Sequence, residues 1–113
     1  MLYLCAEHFF NHAKQFKRLE REEEQALAKR MQDGDQDAQN MLFNGNLPFL
    51  ASFIKKHSAG TPSLELIYQG LALLENALKT FDFQKESIPF SRYLEWKLRQ
   101  LLAHHIADHS SQT

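Results

Sequence analysis

An all-α fold, a compact bundle of about six helices, is what the sequence predicts, and three observations carry that expectation. Valine is absent, and isoleucine and threonine occur only as isolated residues, so strands have little to be built from. Apolar residues instead recur at steps of three and four along most of the chain, the spacing of one helical face. Gly34, Pro48, Gly60 and Pro89 divide that pattern into pieces of helix length.

A first helix is expected from about Leu2 to Phe16, with Leu2, Cys5, Phe9, Ala13 and Phe16 facing inward. The second follows Leu19. Its acidic first turn, Glu20 to Glu24, suits the positive end of a helix dipole and reads as a solvated start; Lys29 and Arg30 suit the other end. Gly34 stops it where a left-handed residue is wanted. Asp35 can cap a third helix that turns Ala38, Met41 and Leu42 inward. Asn46, Leu47 and Pro48 restart the chain, because proline is tolerated in a first turn, and Leu47, Leu50, Ala51 and Ile54 form the stripe of a fourth helix. Ser58 to Thr61 reads as a turn, with Thr61 and Pro62 as cap and first-turn pair of the fifth helix. There Leu64, Ile67, Leu71, Leu74, Leu78 and Phe81 mark one face. After a connection from Asp82 to Pro89, a sixth helix runs from about Ser91 to Asp108 and buries Phe90, Leu94, Leu98 and Leu101, with Leu102 at the edge.

Bulk properties narrow the function classes. The 113 residues suit one domain, and a 43% hydrophobic content can fill a modest core. No apolar run approaches the roughly 20 residues needed to span a bilayer, and the first residues lack the basic leader of a signal peptide. Cys5 is the sole cysteine, which excludes an internal disulfide and suits the reducing cytoplasm. The net charge of −1 offers none of the basic excess by which a free-standing duplex-binding domain neutralises phosphates. Any DNA contact is therefore local, or a partner supplies the attraction.

The sixth helix carries the chemistry. Opposite its leucines lie Tyr93, Trp96, Gln100 and His104, again three and four apart, with Lys97 and Arg99 beside them. Rings can stack on unpaired bases, cations can hold phosphates, and an amide can meet a base edge. The same spacing also fits rings packed beneath the first helix with the charges merely solvated. Cys5, His8 and His12, and again His105 with His109, have helical metal-ligand spacing, but a structural zinc site wants four ligands, so no metal or other cofactor is expected. No glycine-rich phosphate loop, Ser–His–Asp set or carboxylate pair stands out, and an enzyme is not expected.

The order of short motifs is more specific. Glu22-Glu23-Glu24 leading through Leu27-Ala28-Lys29-Arg30 to Gly34-Asp35 resembles the segment that precedes the second conserved region of housekeeping-type, sigma-seventy family sigma factors of bacterial RNA polymerase. Asn46-Leu47 followed by Ile54-Lys55-Lys56 resembles the family's next block. Glu65-Leu66-Ile67-Tyr68-Gln69-Gly70 resembles its DLIQEG motif, and Ala77 through Phe81-Asp82 the stretch after it. Phe90-Ser91-Arg92-Tyr93-Leu94-Glu95-Trp96-Lys97-Leu98-Arg99-Gln100 is similar to FSTYATWWIRQ, and Ile106-Ala107-Asp108 to the IAD that follows. The resemblance implies one domain over 1–113, made of an extra N-terminal helix at 1–18 without a counterpart, a region-two-like body at 19–108 and a polar tail at 109–113.

It also implies a role in transcription initiation. The DLIQEG helix of the family docks on a coiled coil of the largest polymerase subunit, so Glu65, Tyr68, Gln69, Leu71 and Glu75 would meet core RNA polymerase. Tyr68, Gln69, Leu71 and Glu75 depart from the family pattern, and an exposed Tyr68 would suit an adapted partner surface. The promoter-reading helix implies that Tyr93, Trp96, Lys97, Arg99, Gln100 and His104 receive promoter DNA, mainly the non-template single strand. Lys97 stands where the family has a second tryptophan, and the Gln84–Pro89 loop is one residue longer, so melting has less support. The sequence stops before the family's helix-turn-helix module, which a separate chain or a longer protein would supply. A second reading is a degenerate sigma paralogue that engages an anti-sigma factor or occupies polymerase as a decoy. Neither reading involves a membrane.

Overall fold

The computed structural model describes residues 3–58 and 62–110, the last five in backbone only. Met1, Leu2, most of the expected Ser58–Thr61 turn, the side chains of Ile106, Ala107, Asp108 and His109, and residues 111–113 lie outside the described residues. Six helices follow one another, with no strand among the described residues: α1 Ala6–Ala13, α2 Arg21–Gln32, α3 Gln36–Gly45, α4 Leu47–His57, α5 Leu64–Thr80 and α6 Phe90–Ser110. The all-α expectation therefore holds. None of these helices is long and apolar enough to cross a membrane, among the described residues.

Local chemistry explains most boundaries. The Glu20 amide donates to Glu23 Oε1 at 3.2 Å, closing the first turn of α2. Gly34 ends that helix at φ 92°, a backbone conformation that side chains resist. The Asp35 carboxylate then accepts from the Ala38 amide at 3.2 Å and from Arg30 at 2.9 Å. Those contacts, Arg30 first, hold the carboxyl below its ordinary pKa. Between α3 and α4 the buried Asn46 spends its side-chain amide on the Leu42 carbonyl at 2.7 Å. A polar residue can thus sit in the core at the corner without an unsatisfied donor.

Helix α2 packs on α3, α5 on α6, and α1 on α4 and α5, while α3 and α4 touch each other and α5. Leu42, Leu47, Leu50, Ile67, Leu74, Leu78, Phe90, Leu94 and Leu98 fill the centre. Burying each such side chain contributes about 1.5–3 kcal/mol. Gly70 lets α5 approach α4 closely: a Cβ there would lie 3.1 Å from Leu50 Cδ1.

Five expectations need correction. Helix α1 is eight residues long rather than fifteen, because Tyr3 is drawn into the core outside the helix and Cys5 is extended (φ −160°, ψ 170°) and exposed. Glu24 is no solvated residue. It lies one turn before Leu27 and Ala28 on the inner face of α2 and is 8% exposed. Met41 points outward at 49% exposure, because the inner face of α3 runs Ala38, Leu42, Gly45. Ser63, not Thr61, caps α5, accepting from the Leu66 amide at 3.1 Å. The buried face of α5 is also rotated to Leu66, Ile67, Gly70, Leu74, Ala77 and Leu78, leaving Leu64 and Leu71 half-buried.

Candidate nucleic-acid interface and docking helix

Helix α6 divides its candidate residues by depth. Leu94 and Leu98 are buried, which turns Trp96 outward at 51% exposure, with Lys97, Gln100 and His104 also exposed. Tyr93 is half-buried. Its ring lies 5.0 Å from Phe81, its hydroxyl 3.1 Å from Thr80 Oγ1, and the Lys97 ammonium sits 5.6 Å over its face. Phe81, Phe83 and Phe90 form an aromatic seat beneath it, with Phe83 stacked on Phe90 at 5.3 Å. Tyr93 is therefore a wall, and Trp96 the open ring. Neither ring is sealed inside the bundle.

Arg99 leans another way. It pairs with Glu95 at 3.0 Å and its guanidinium lies 5.9 Å over the Phe53 ring. Tyr93, Trp96, Lys97, Gln100 and His104 share a contiguous strip, whereas Arg99 is held at its edge. The strip can offer a base one open ring face, one ammonium and one amide.

On α5, Glu65, Gln69 and Glu75 are exposed, and Glu75 lies 3.7 Å from Lys79. Tyr68 is not exposed as expected but half-buried, because Tyr3 covers it. The Tyr3 amide donates to the Tyr68 hydroxyl at 2.5 Å, and that hydroxyl donates to the Tyr3 carbonyl at 3.2 Å. Burial, with the neighbouring Tyr68 hydroxyl, raises the pKa of Tyr3. The Tyr3 hydroxyl in turn shares a hydrogen bond with His12 Nδ1 at 2.8 Å, and the His8 ring stands edge-on to the Tyr3 ring at 5.4 Å. His8 and His12 are thus engaged with Tyr3, and Cys5 is exposed; no cluster of three metal-ligating side chains occurs among the described residues.

An open cleft of about 270 Å³ runs beside this contact, lined by Tyr3, His12, Phe43, Tyr68, Leu71 and Glu75 among others. Three of the five expected docking residues meet there; Glu65 and Gln69 do not line it. The participation of Tyr3 and His12 has no local signature, since Tyr3 and Tyr68 are 65 residues apart. A second cleft of about 230 Å³ lies between α1 and α4, with Lys14 and Lys55 at its rim over Phe10, Ala13, Pro48 and Ala51.

A third neighbourhood binds α2 to the 82–89 connection. Arg21 donates to the Ser87 carbonyl at 3.1 Å, and Glu24 borders a small pocket with Phe81, Phe83 and Phe90. Burial there pushes the Glu24 carboxyl up to about 7, against the opposing pull of Asn46 and Arg21.

The chain is similar in sequence to known proteins. The family profile for sigma-70 factor, region 1.2, matches residues 7–37. RNA polymerase sigma factor SigA of Listeria monocytogenes is 40% identical over 88 residues, which cover 77% of this chain and 23% of that protein. SigA of Clostridium acetobutylicum is 39% identical over 88 residues, with the same coverage. An 88-residue match reaches well beyond residues 7–37, so the likeness is not confined to region 1.2. The profile and the relatives together support a place among the bacterial sigma factors, and within them a likeness to the housekeeping-type sigma-70 family. It spans about a quarter of the length of the relatives it matches. The region 1.2 match starts at Glu7, inside the helix for which the sequence motifs offer no counterpart.

Proposed function

We propose that this chain is a sigma-factor module of transcription initiation, which joins core RNA polymerase through α5 and receives unpaired non-template promoter bases on α6. It acts by binding rather than catalysis, in the cytoplasm. The observation that supports this reading most is the exposed Trp96 ring with Lys97, Gln100 and His104 along the same helix. Tyr93, fixed on Phe81, would back the stack, and Arg99 would add a phosphate contact on leaving Glu95. The polymerase contact would use Glu65, Tyr68, Gln69, Leu71 and Glu75 against the largest-subunit coiled coil. With a net charge of −1 the chain gains little attraction for DNA from its own field, so polymerase supplies most of it.

One observation favours a second reading. The Tyr68 hydroxyl is already engaged by the chain's own Tyr3, which suits a paralogue whose altered helix meets a regulator such as an anti-sigma factor. Anisotropy of a labelled non-template promoter strand, titrated with this chain in the presence and absence of core polymerase, separates the two. The initiation reading expects polymerase-dependent binding that Trp96→Ala abolishes. Strand binding unchanged in that variant contradicts it, and recovery of a regulator without polymerase from a pull-down supports the second reading.

A further inference from the structure

The geometry points to residues 3–5, ahead of α1, as a strap that closes over part of the α5 docking face and must lift from Tyr68 when polymerase engages it. This inference rests on the docking reading above and adds a regulation to it. Tyr3 lies outside any helix and is 5% exposed, while the adjoining Leu4 is 85% exposed. This short segment, with one residue driven inward and the next left in solvent, is held through Tyr3, while α1 behind it stays seated by the buried Ala6, Phe9 and Ala13. Around that point Tyr3 touches four rings: Phe9 at 5.2 Å, His8 at 5.4 Å, His12 at 5.6 Å and Tyr68 at 6.2 Å.

What the strap occupies matters more than how it is held. The Tyr68 hydroxyl can donate one hydrogen bond, and it gives it to the Tyr3 carbonyl while accepting from the Tyr3 amide. A partner approaching Tyr68 therefore finds its polar group engaged and one ring edge covered. Leu71 and Glu75 border the same cleft as Tyr3 and His12, whereas Glu65 and Gln69 stay open. The docking face is thus divided into an open half, sufficient for first contact, and a half that becomes available when Tyr3 leaves. Affinity measured for the closed chain is lowered by the fraction of time the strap is shut.

The test compares core-polymerase affinity for the full chain and two variants. Tyr3→Ala removes the ring that pins the strap, and Tyr3→Phe keeps the ring but loses the His12 anchor. Far-UV circular dichroism melts verify folding. Binding is expected to tighten by roughly tenfold in Tyr3→Ala and less in Tyr3→Phe, with Glu65→Ala weakening it in all backgrounds. Equal affinity of all three chains overturns the strap while leaving docking intact. Weaker binding by folded Tyr3→Phe also overturns it, because Tyr3 then belongs to the contact surface. No binding by any chain removes the docking reading, and the strap's role falls with it.

Discussion

The hydroxyl of Tyr93 lies 3.1 Å from Thr80 Oγ1, which ties the start of α6 to the end of α5. Its ring rests on Phe81, so the same side chain that walls the candidate interface also closes the junction between two helices. Trp96, three residues on, bears no comparable structural duty. The two rings should therefore separate stability from binding. Tyr93→Ala is expected to cost about 1–3 kcal/mol, as loss of a half-buried aromatic does, while Trp96→Ala stays within about 0.5 kcal/mol of the parent. Urea denaturation of both variants checks this; equal losses contradict it.

Glu24 makes folding pH-dependent. Its folded pKa is raised from 4.5 to about 7, so between those values the folded chain binds more protons than the unfolded one. Stability from this group is then fully present below the lower value and declines as pH rises toward the upper one, by on the order of 3 kcal/mol. Glu24→Gln should flatten that window and exceed the parent in stability above it. A parallel pH profile for the two chains rules the account out.

Leu19 and Gly45 fit each other. A Cβ on Gly45 would lie 2.5 Å from Leu19 Cγ and 2.6 Å from its Cδ1. Gly45→Ala is expected to destabilise by about 1–3 kcal/mol through overpacking, and by much less in a Leu19→Ala background. Additive losses in the double variant would show that the contact is not the cause.

The Glu95–Arg99 pair withholds a cation from the α6 strip. Neutralising its partner with Glu95→Gln should free Arg99 for phosphate. Single-strand affinity in the polymerase complex should then rise several-fold at low salt, with the log–log salt slope steeper by about 0.7 for one added phosphate contact. An unchanged slope places Arg99 outside the interface.

Features set by neighbours in sequence were legible, and those set by distant contacts were not. Gly34, the Asp35 cap and the Asn46–Pro48 restart are local decisions of backbone and short side chains, and each stands where expected. The buried Glu24 was readable in principle, since it shares the i, i+3, i+4 face of Leu27 and Ala28; its type argued the other way. Likewise Gly70 and Ala77 belong to the inner face of α5 although neither is a strong apolar marker. Trp96 and Tyr93 were both legible as a ring pair, but only the Phe81–Phe83–Phe90 seat decides which ring is the wall. No sequence window could have joined Tyr3 to Tyr68, because their contact closes a loop through four helices.

Stacking on Trp96 is the central physical event, and 2-aminopurine reports stacking directly through loss of its fluorescence. The probe is placed at successive positions of a non-template promoter strand, with core polymerase and either the parent chain or Trp96→Ala. Strong quenching at one position with the parent, restored in the variant although the strand remains bound, is the expected result. Fluorescence that is the same in both complexes at every position would contradict the assignment of α6 as the base-receiving face.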